Sequence, residues 1–203
     1  MTVNSSDSEP QQARARRTRR AIIGAALERF GTDGFRKTKI ADVASDAGVT
    51  DAGLLYHFPT KEALLFAVMQ AAEASHGRSL HASLLDSSAA FALMREWGAV
   101  MEQEESVTAL NTVLSAEHLL DDSRVHDYFS DRYRTVVAAM TSAFEDAQAA
   151  GEIVPEVDPE VEARLMLAAM DGARLQYFYG DGEVSMADLI RNHVDRMLER
   201  IGV

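Results

Sequence analysis

The chain has 203 residues, 47% hydrophobic and 26% charged, which is the composition of a folded globular protein rather than a disordered one. No apolar run approaches the roughly 20 residues needed to span a bilayer, and no charged start leads into an apolar signal core, so a cytoplasmic chain with no membrane partner is expected. Zero cysteines exclude disulfides and thiolate metal sites, and the net charge of −12 is unevenly spread: ten Lys/Arg face seven Asp/Glu in residues 1–61, against ten and twenty-five in residues 62–203.

In chain order, residues 1–13 are rich in Ser, Gln, Asp and Glu and lack an apolar period, so a disordered arm is expected there. From Arg14 to Phe30 the residues Ile22, Ile23, Ala26, Leu27 and Phe30 line one helical face, opposite Arg14, Arg16, Arg17, Arg19 and Arg20. Gly31 and the Asp33-Gly34 pair are expected to stop this helix, with Phe35 packing it onto the next two. A basic end on an acidic body is the footprint of a phosphate-binding module on an unrelated scaffold; a solvated basic tail is the alternative.

The stretch Thr38 to Lys61 reads as two short capped helices around a turn. Thr38 is the expected N-cap of the first, whose Ile40, Val43, Ala44 and Ala47 recur at helical spacing. Gly48 ends it, since glycine takes the left-handed conformation without a Cβ penalty. Val49 plugs the core, and Thr50 caps a second helix from Asp51 to His57. Phe58-Pro59 breaks that helix, because the residue before proline is pushed out of α space, and Thr60 caps the next. The product is a helix-turn-helix, whose second helix is of the kind that lies in a DNA major groove.

Beyond Pro59 the pattern is helical almost to the end. Thr60 to Ser75 reads as a connecting helix, and Gly77 to Ser87 as either helix with a break or loop. Ser88 to Glu102, Ser106 to Leu120 (with Leu119 on its apolar side) and Arg124 to Ala150 are amphipathic, Gly151 ending the last. Val161 to Tyr179 carries small residues where a partner helix can approach, and Met186 to Ile201 carries a wide apolar stripe. This last pair either completes the monomer core or packs against its copy as an isologous four-helix bundle.

Ala25 to Phe30, the Gly34-Phe35 turn, Thr38-x-Ile40-Ala41-x-Val43-Ala44, Ala47-Gly48-Val49-Thr50 and His57-Phe58-Pro59-Thr60-Lys61-Glu62-Ala63-Leu64-Leu65 together resemble the tetracycline-repressor (TetR) family of bacterial transcriptional regulators. The resemblance covers about a fifth of the chain. It implies an all-α homodimer: a helix-turn-helix DNA-binding domain, here 14–61 after the 1–13 arm, and an effector-binding and dimerisation domain, here 62–203. It implies double-stranded DNA with a palindromic operator as one partner, a small lipophilic effector as another, and no enzymatic activity, cofactor or metal.

On the DNA side the resemblance matches Thr38 and Lys61 to phosphate contacts and leaves Thr50, Asp51, Ala52, Gly53 and Tyr56 as the exposed positions of the recognition helix, with Lys39 in reach of either the groove or a phosphate and Arg17 in the arginine-rich arm. The chain departs from the family pattern at Asp51, where many members carry Lys or Arg, and at Leu55, where many carry the phosphate-contacting tyrosine. Here the tyrosine is one place later, at Tyr56, rotated by about 100° around the helix.

For the effector, Trp97, Met101, Phe129, Tyr133, Met170 and Tyr177 are either core or the walls of an adaptable apolar cavity, with His118 and Arg174 as its polar groups. The acidic body hints that the effector is not strongly anionic. His118, Asp121, Asp122, His126 and Asp127 can be drawn as a metal cluster, but Asp121-Asp122-Ser123 reads as a loop with solvated charges. No phosphate loop, nucleophile elbow or zinc-protease motif is present. The alternative from another class is an all-α small-molecule binding protein or enzyme without DNA binding.

Overall fold

The computed structural model describes residues 8–83, 87–120, 122–180 and 182–202. Among them the chain is all-α: nine helices and one isolated bridge, between Ile153 and Gly202. They are α1 (Ser8–Asp33), α2 (Ile40–Asp46), α3 (Asp51–His57), α4 (Lys61–Ser83), α5 (Ser87–Gln103), α6 (Glu105–Glu117), α7 (Arg124–Ala149), α8 (Pro159–Tyr179) and α9 (Met186–Ile201). Two compact units are present, Met1–Ala74 and Ser75–Val203. The division falls inside α4 rather than at Lys61, because α4 has no break there and its first turns bury Leu64, Leu65 and Val68.

In the first unit, α1 starts at Ser8, so the part of the expected disordered arm from Ser8 to Ala13 is helix; residues 1–7 lie outside the described residues. Pro10 sits in the first turn, where its missing N–H costs nothing, and Gln11, Gln12, Ala13 and Arg14 are helix formers. Gly31 does not stop α1 but is buried within it. The stop is Gly34, at φ 81°, where a side chain would be strained. Ile22, Ala26 and Phe30 are fully buried on the expected face, and the Phe30 ring meets Phe35 edge-on at 5.4 Å. Arg29 of α1 holds Asp46 of α2 through two hydrogen bonds, Nε to Oδ2 at 2.6 Å and Nη2 to Oδ1 at 3.2 Å.

The second unit is a bundle whose core joins Phe91, Trp97, Met140, Phe144, Met166 and Met197 from α5, α7, α8 and α9. The wide stripe of α9 is spent here: Met186, Ile190, Val194, Met197 and Ile201 are buried in the subunit's own core. Its closest neighbour is α5, where Gly98 lets the two backbones meet; a Cβ there would stand 2.5 Å from the Met186 carbonyl oxygen. Helix starts are fixed by side-chain caps, Ser123 to the His126 amide, Asp158 to the amides of Glu160 and Val161, and Ser185 to the Asp188 amide. Each such cap stabilises its helix by about 1 kcal/mol. The α6 helix stops at Glu117 instead of Leu120, and Leu119 is exposed rather than on a buried face. The Gly77 to Ser87 ambiguity resolves as α4 running to Ser83 and α5 opening at Ser87, residues 84–86 lying outside the described set.

Candidate nucleic-acid interface and effector cavity

The helix-turn-helix is built as its sequence dictates, with one exception. Gly48 takes φ 66° between α2 and α3, and Thr50 caps α3, its Oγ1 accepting from the Gly53 amide at 3.1 Å. Leu54 is fully buried beneath α3, as are Val43 and Ala44 of α2. Phe58 is extended and Thr60 Oγ1 accepts from the Ala63 amide at 3.1 Å. The exception is Thr38, which is not the N-cap of α2: Lys39 occupies that position, without a side-chain cap. The Thr38 hydroxyl turns inward instead, donating to the Gly34 carbonyl at 2.8 Å and lying 3.2 Å from that of Arg29, with the residue only 4% exposed. It closes the α1–α2 turn, because the carbonyls at the end of α1 need a donor that no following helical turn supplies.

Around this frame Lys39, Thr50, Asp51, Ala52 and Tyr56 are exposed, Tyr56 at 85%, and Gly53 is half-buried. Leu55, where the family pattern places the tyrosine, is 42% exposed. Lys61 reaches back over the turn, its Nζ 4.4 Å from the Phe35 ring centroid and 3.4 Å from the Arg36 carbonyl, so its charge is held at the rim of the motif. Arg14, Arg16, Arg17, Arg19 and Arg20 are exposed on α1, with the Arg19 guanidinium 5.0 Å from the Phe58 ring centroid. The basic residues therefore lie on a helix rather than on a loose arm.

The second unit contains a cavity of about 70 Å³ between α5, α6, α7 and α8. Trp97, Met101, Phe129, Tyr133, Met170 and Arg174 line it; His118 and Tyr177 do not. His118 is the C-cap residue of α6, buried, with Nδ1 at 3.5 Å from Ser123 Oγ, so it belongs to the α6–α7 junction. Tyr177 packs against the core from α8, and burial first, then Glu105 and Glu102, pushes its phenol above the usual tyrosine range.

Sequence reasoning missed Asn111, Ser115, Arg132 and Asp171, all of which line the cavity. Only heptad-like arithmetic on α7, placing Arg132 one turn from Phe129 and Val136, carried a signal for any of them. Asp171 is engaged on both oxygens: Tyr133 donates to Oδ2 at 2.8 Å and Arg174 Nη2 to Oδ1 at 2.5 Å. Burial, followed by the Asp171 carboxylate, raises the Tyr133 phenol above its ordinary range. Tyr133, Leu167 and Asp171 also line a wide open groove on the α7–α8 face, so they stand between groove and cavity. Asp121 lies outside the described residues, and among those described no group of three or more His, Asp or Glu is placed to hold a metal. Nor is any described helix long and apolar enough to cross a membrane.

The class these features define is that of an all-helical helix-turn-helix regulator. Residues 22–68 match the description of bacterial regulatory proteins of the tetR family, and residues 92–202 that of the C-terminal part of BetI-type transcriptional repressors. The chain belongs to the TetR family, whose members are DNA-binding transcription factors and not enzymes.

Among relatives, the chain is similar to the A-factor receptor protein of Streptomyces griseus, 27% identical over 195 residues, covering 94% of this chain and 64% of that one. It therefore spans just under two thirds of that relative's length. It is also similar to the transcriptional repressor BepR of Brucella suis, 27% identical over 183 residues, 84% of this chain and 85% of that one. In fold it matches a TetR transcriptional regulator from Chloroflexus aurantiacus, with TM-score 0.80 at 18% identity, over 94% of this chain and 99% of that one.

Proposed function

We propose that the chain is a cytoplasmic repressor that binds a palindromic operator as a homodimer and leaves it when a small molecule enters the second-unit cavity. The observation that supports this most is the open face of α3, with Asp51, Ala52, Leu55 and Tyr56 exposed, in a chain of the TetR family. Lys39 and Tyr56 are the side chains long enough to read bases, and Lys61 and the α1 arginines, Arg17 among them, are the phosphate contacts. Thr38 acts from inside, holding the turn.

For the dimer, α8 supplies the surface. Val161, Leu165, Ala168, Gly172, Leu175 and Tyr179 recur at alternating steps of four and three, and Val161, Leu165 and Leu175 are each about half exposed. That spacing is a packing seam, whereas the α9 stripe is already buried in its own subunit. Effector action is a population shift: ligand favours the arrangement of the two recognition helices that no longer matches major grooves roughly 34 Å apart. At 70 Å³ the cavity is well below the roughly 300 Å³ of small drug-sized sites, so entry repacks its walls, and the pliable side chains of Met94, Met101, Met140 and Met170 permit that.

The test is a gel shift with DNA flanking the chain's own coding region over a range of salt. Specific, salt-sensitive binding is expected, with Lys61→Ala weakening cognate and random DNA alike and lowering the log–log salt slope by about 0.9. Absence of salt-sensitive binding to any fragment would sink the reading. Leu175→Glu should convert the dimer to a monomer in sedimentation; an unchanged sedimentation coefficient would remove α8 from the interface.

A further inference from the structure

The polar groups of the cavity are unbalanced, and the imbalance has a sign. Asp171 is its one carboxylate, and both of its oxygens are taken, by Tyr133 and Arg174. Thr108 donates to the Met101 carbonyl at 2.9 Å and Ser115 to that of Thr112 at 3.0 Å, so neither hydroxyl proton faces the cavity free. Asn111 adds a neutral amide that can donate or accept, so the imbalance left over is one of charge, and it lies with the two arginines. The Nε of Arg174 is buried without a hydrogen-bond partner among the described residues. Arg132, half-buried on α7, lines the same cavity, and its guanidinium has no ion pair or hydrogen bond among the described residues. Two arginines against one carboxylate leave a single positive charge beside Trp97, Met101 and Phe129.

A buried N–H without an acceptor costs free energy, and a cation beside apolar walls interacts strongly because little water screens it. We propose that the molecule received here is an amphipathic organic monoanion, with its acidic head on Arg132 and the Nε of Arg174 and its apolar body against Trp97, Met101 and Phe129. This rests on the reading of the cavity as the effector site. It also reverses the hint from the acidic body. At physiological salt, surface carboxylates beyond about 8 Å are screened, whereas the charge lining the cavity acts at contact distance. One positive charge matched by one negative also explains the head's valence: a dianion would leave a charge buried without a partner.

Trp97 is the chain's one tryptophan and lines the cavity, so its fluorescence reports occupancy directly. The full-length protein is titrated with hexanoate, 1-hexanol and hexylamine at fixed ionic strength, in the native chain and in Arg132→Met and Arg132→Lys. Hexanoate is expected to bind about tenfold tighter than hexanol, and hexylamine weakest, since hydrogen bonds to charged groups are the stronger ones. Arg132→Met should bring hexanoate down to the level of hexanol, and Arg132→Lys should retain the preference. Equal affinity of hexanol or hexylamine, or an acid preference that survives Arg132→Met, overturns the anion assignment while leaving the cavity as a ligand site. No change in Trp97 emission with any of the three overturns both. Should Arg132→Met fail to fold by circular dichroism, the head-group order in the native chain and in Arg132→Lys decides.

Discussion

The phenol of Tyr133 on α7 donates to the carboxylate of Asp171 on α8 at 2.8 Å, and both residues border the inner cavity and the outer groove. The bond joins two helices and keeps Asp171 occupied on the side that Arg174 does not reach. Its consequence for titration has a definite sign. Burial and Asp171 favour the neutral phenol in the folded chain, so this group stabilises the fold fully below the unfolded tyrosine value near 10 and loses that contribution as pH rises through the folded value. Burial acts on Tyr177 in the same direction. In absorbance titration at 295 nm, part of the signal from the five tyrosines should therefore appear late, and Tyr133→Phe should diminish that late phase. A single transition near 10 for all five would refute the account.

Thr38 separates two explanations of the same residue. If its hydroxyl met a phosphate, Thr38→Val would weaken DNA binding without affecting the fold. The structure turns the hydroxyl to the Gly34 and Arg29 carbonyls in a buried turn, so Thr38→Val should cost the first unit about 1–2 kcal/mol. Its loss of DNA affinity should then track its loss of folding in urea, and Thr38→Ser should restore most of both. Full folding with lost binding would favour the phosphate contact.

Arg29 and Asp46 tie α1 to α2 at the surface. The hydrogen bond from Arg29 holds the Asp46 carboxyl below the usual carboxylate range, against a smaller desolvation effect. A depressed folded value means that the contribution is present above the unfolded value near 3.9 and disappears as pH falls through the folded one. Asp46→Asn should therefore lower the urea midpoint of the first unit slightly at pH 7, and the gap between native and variant should close at the acid end. A gap that widens on acidification would contradict the assignment.

Gly98 has no room for a methyl group. A Cβ there would lie 2.5 Å from the Met186 carbonyl oxygen and 2.6 Å from Ala187 Cα, both backbone atoms that cannot swing away. Gly98→Ala should force α5 and α9 apart at a cost of about 1–3 kcal/mol, lowering the melting temperature followed by the adjacent Trp97 by several degrees. An unchanged melting temperature would mean that the two helices pack less closely than this.

Local chemistry was enough to read most of the helix-turn-helix. Gly48, Thr50, Phe58-Pro59 and Thr60 act within a few residues of themselves, through φ preference, capping and the steric demand of proline, and the structure gives each of them the role that its chemistry predicts. The same local rules assigned Thr38 wrongly, since a threonine before a helix has two ways to use its hydroxyl. The choice of the Gly34 and Arg29 carbonyls depends on how α1 ends. Helical periodicity also located α9 to the residue, yet could not tell whether its stripe faced its own core or a second subunit.

The cavity was legible only in part. Large apolar residues such as Trp97, Met101 and Phe129 announce themselves in a helical pattern, but a cavity is the space that several helices leave between them, and no single helix encodes it. Arg132 and Asp171 look like ordinary solvated charges one at a time. Only the packing of α7 against α8 consumes Asp171 and leaves Arg132 without a partner among the described residues. The sequence by itself determined the class of the protein, the order of its helices and the helix-turn-helix motif, though not every helix end, because those rest on contacts a few residues apart. Tertiary structure alone decided which charges are balanced inside the cavity and which apolar stripe stays exposed, because both follow from residues far apart in the chain.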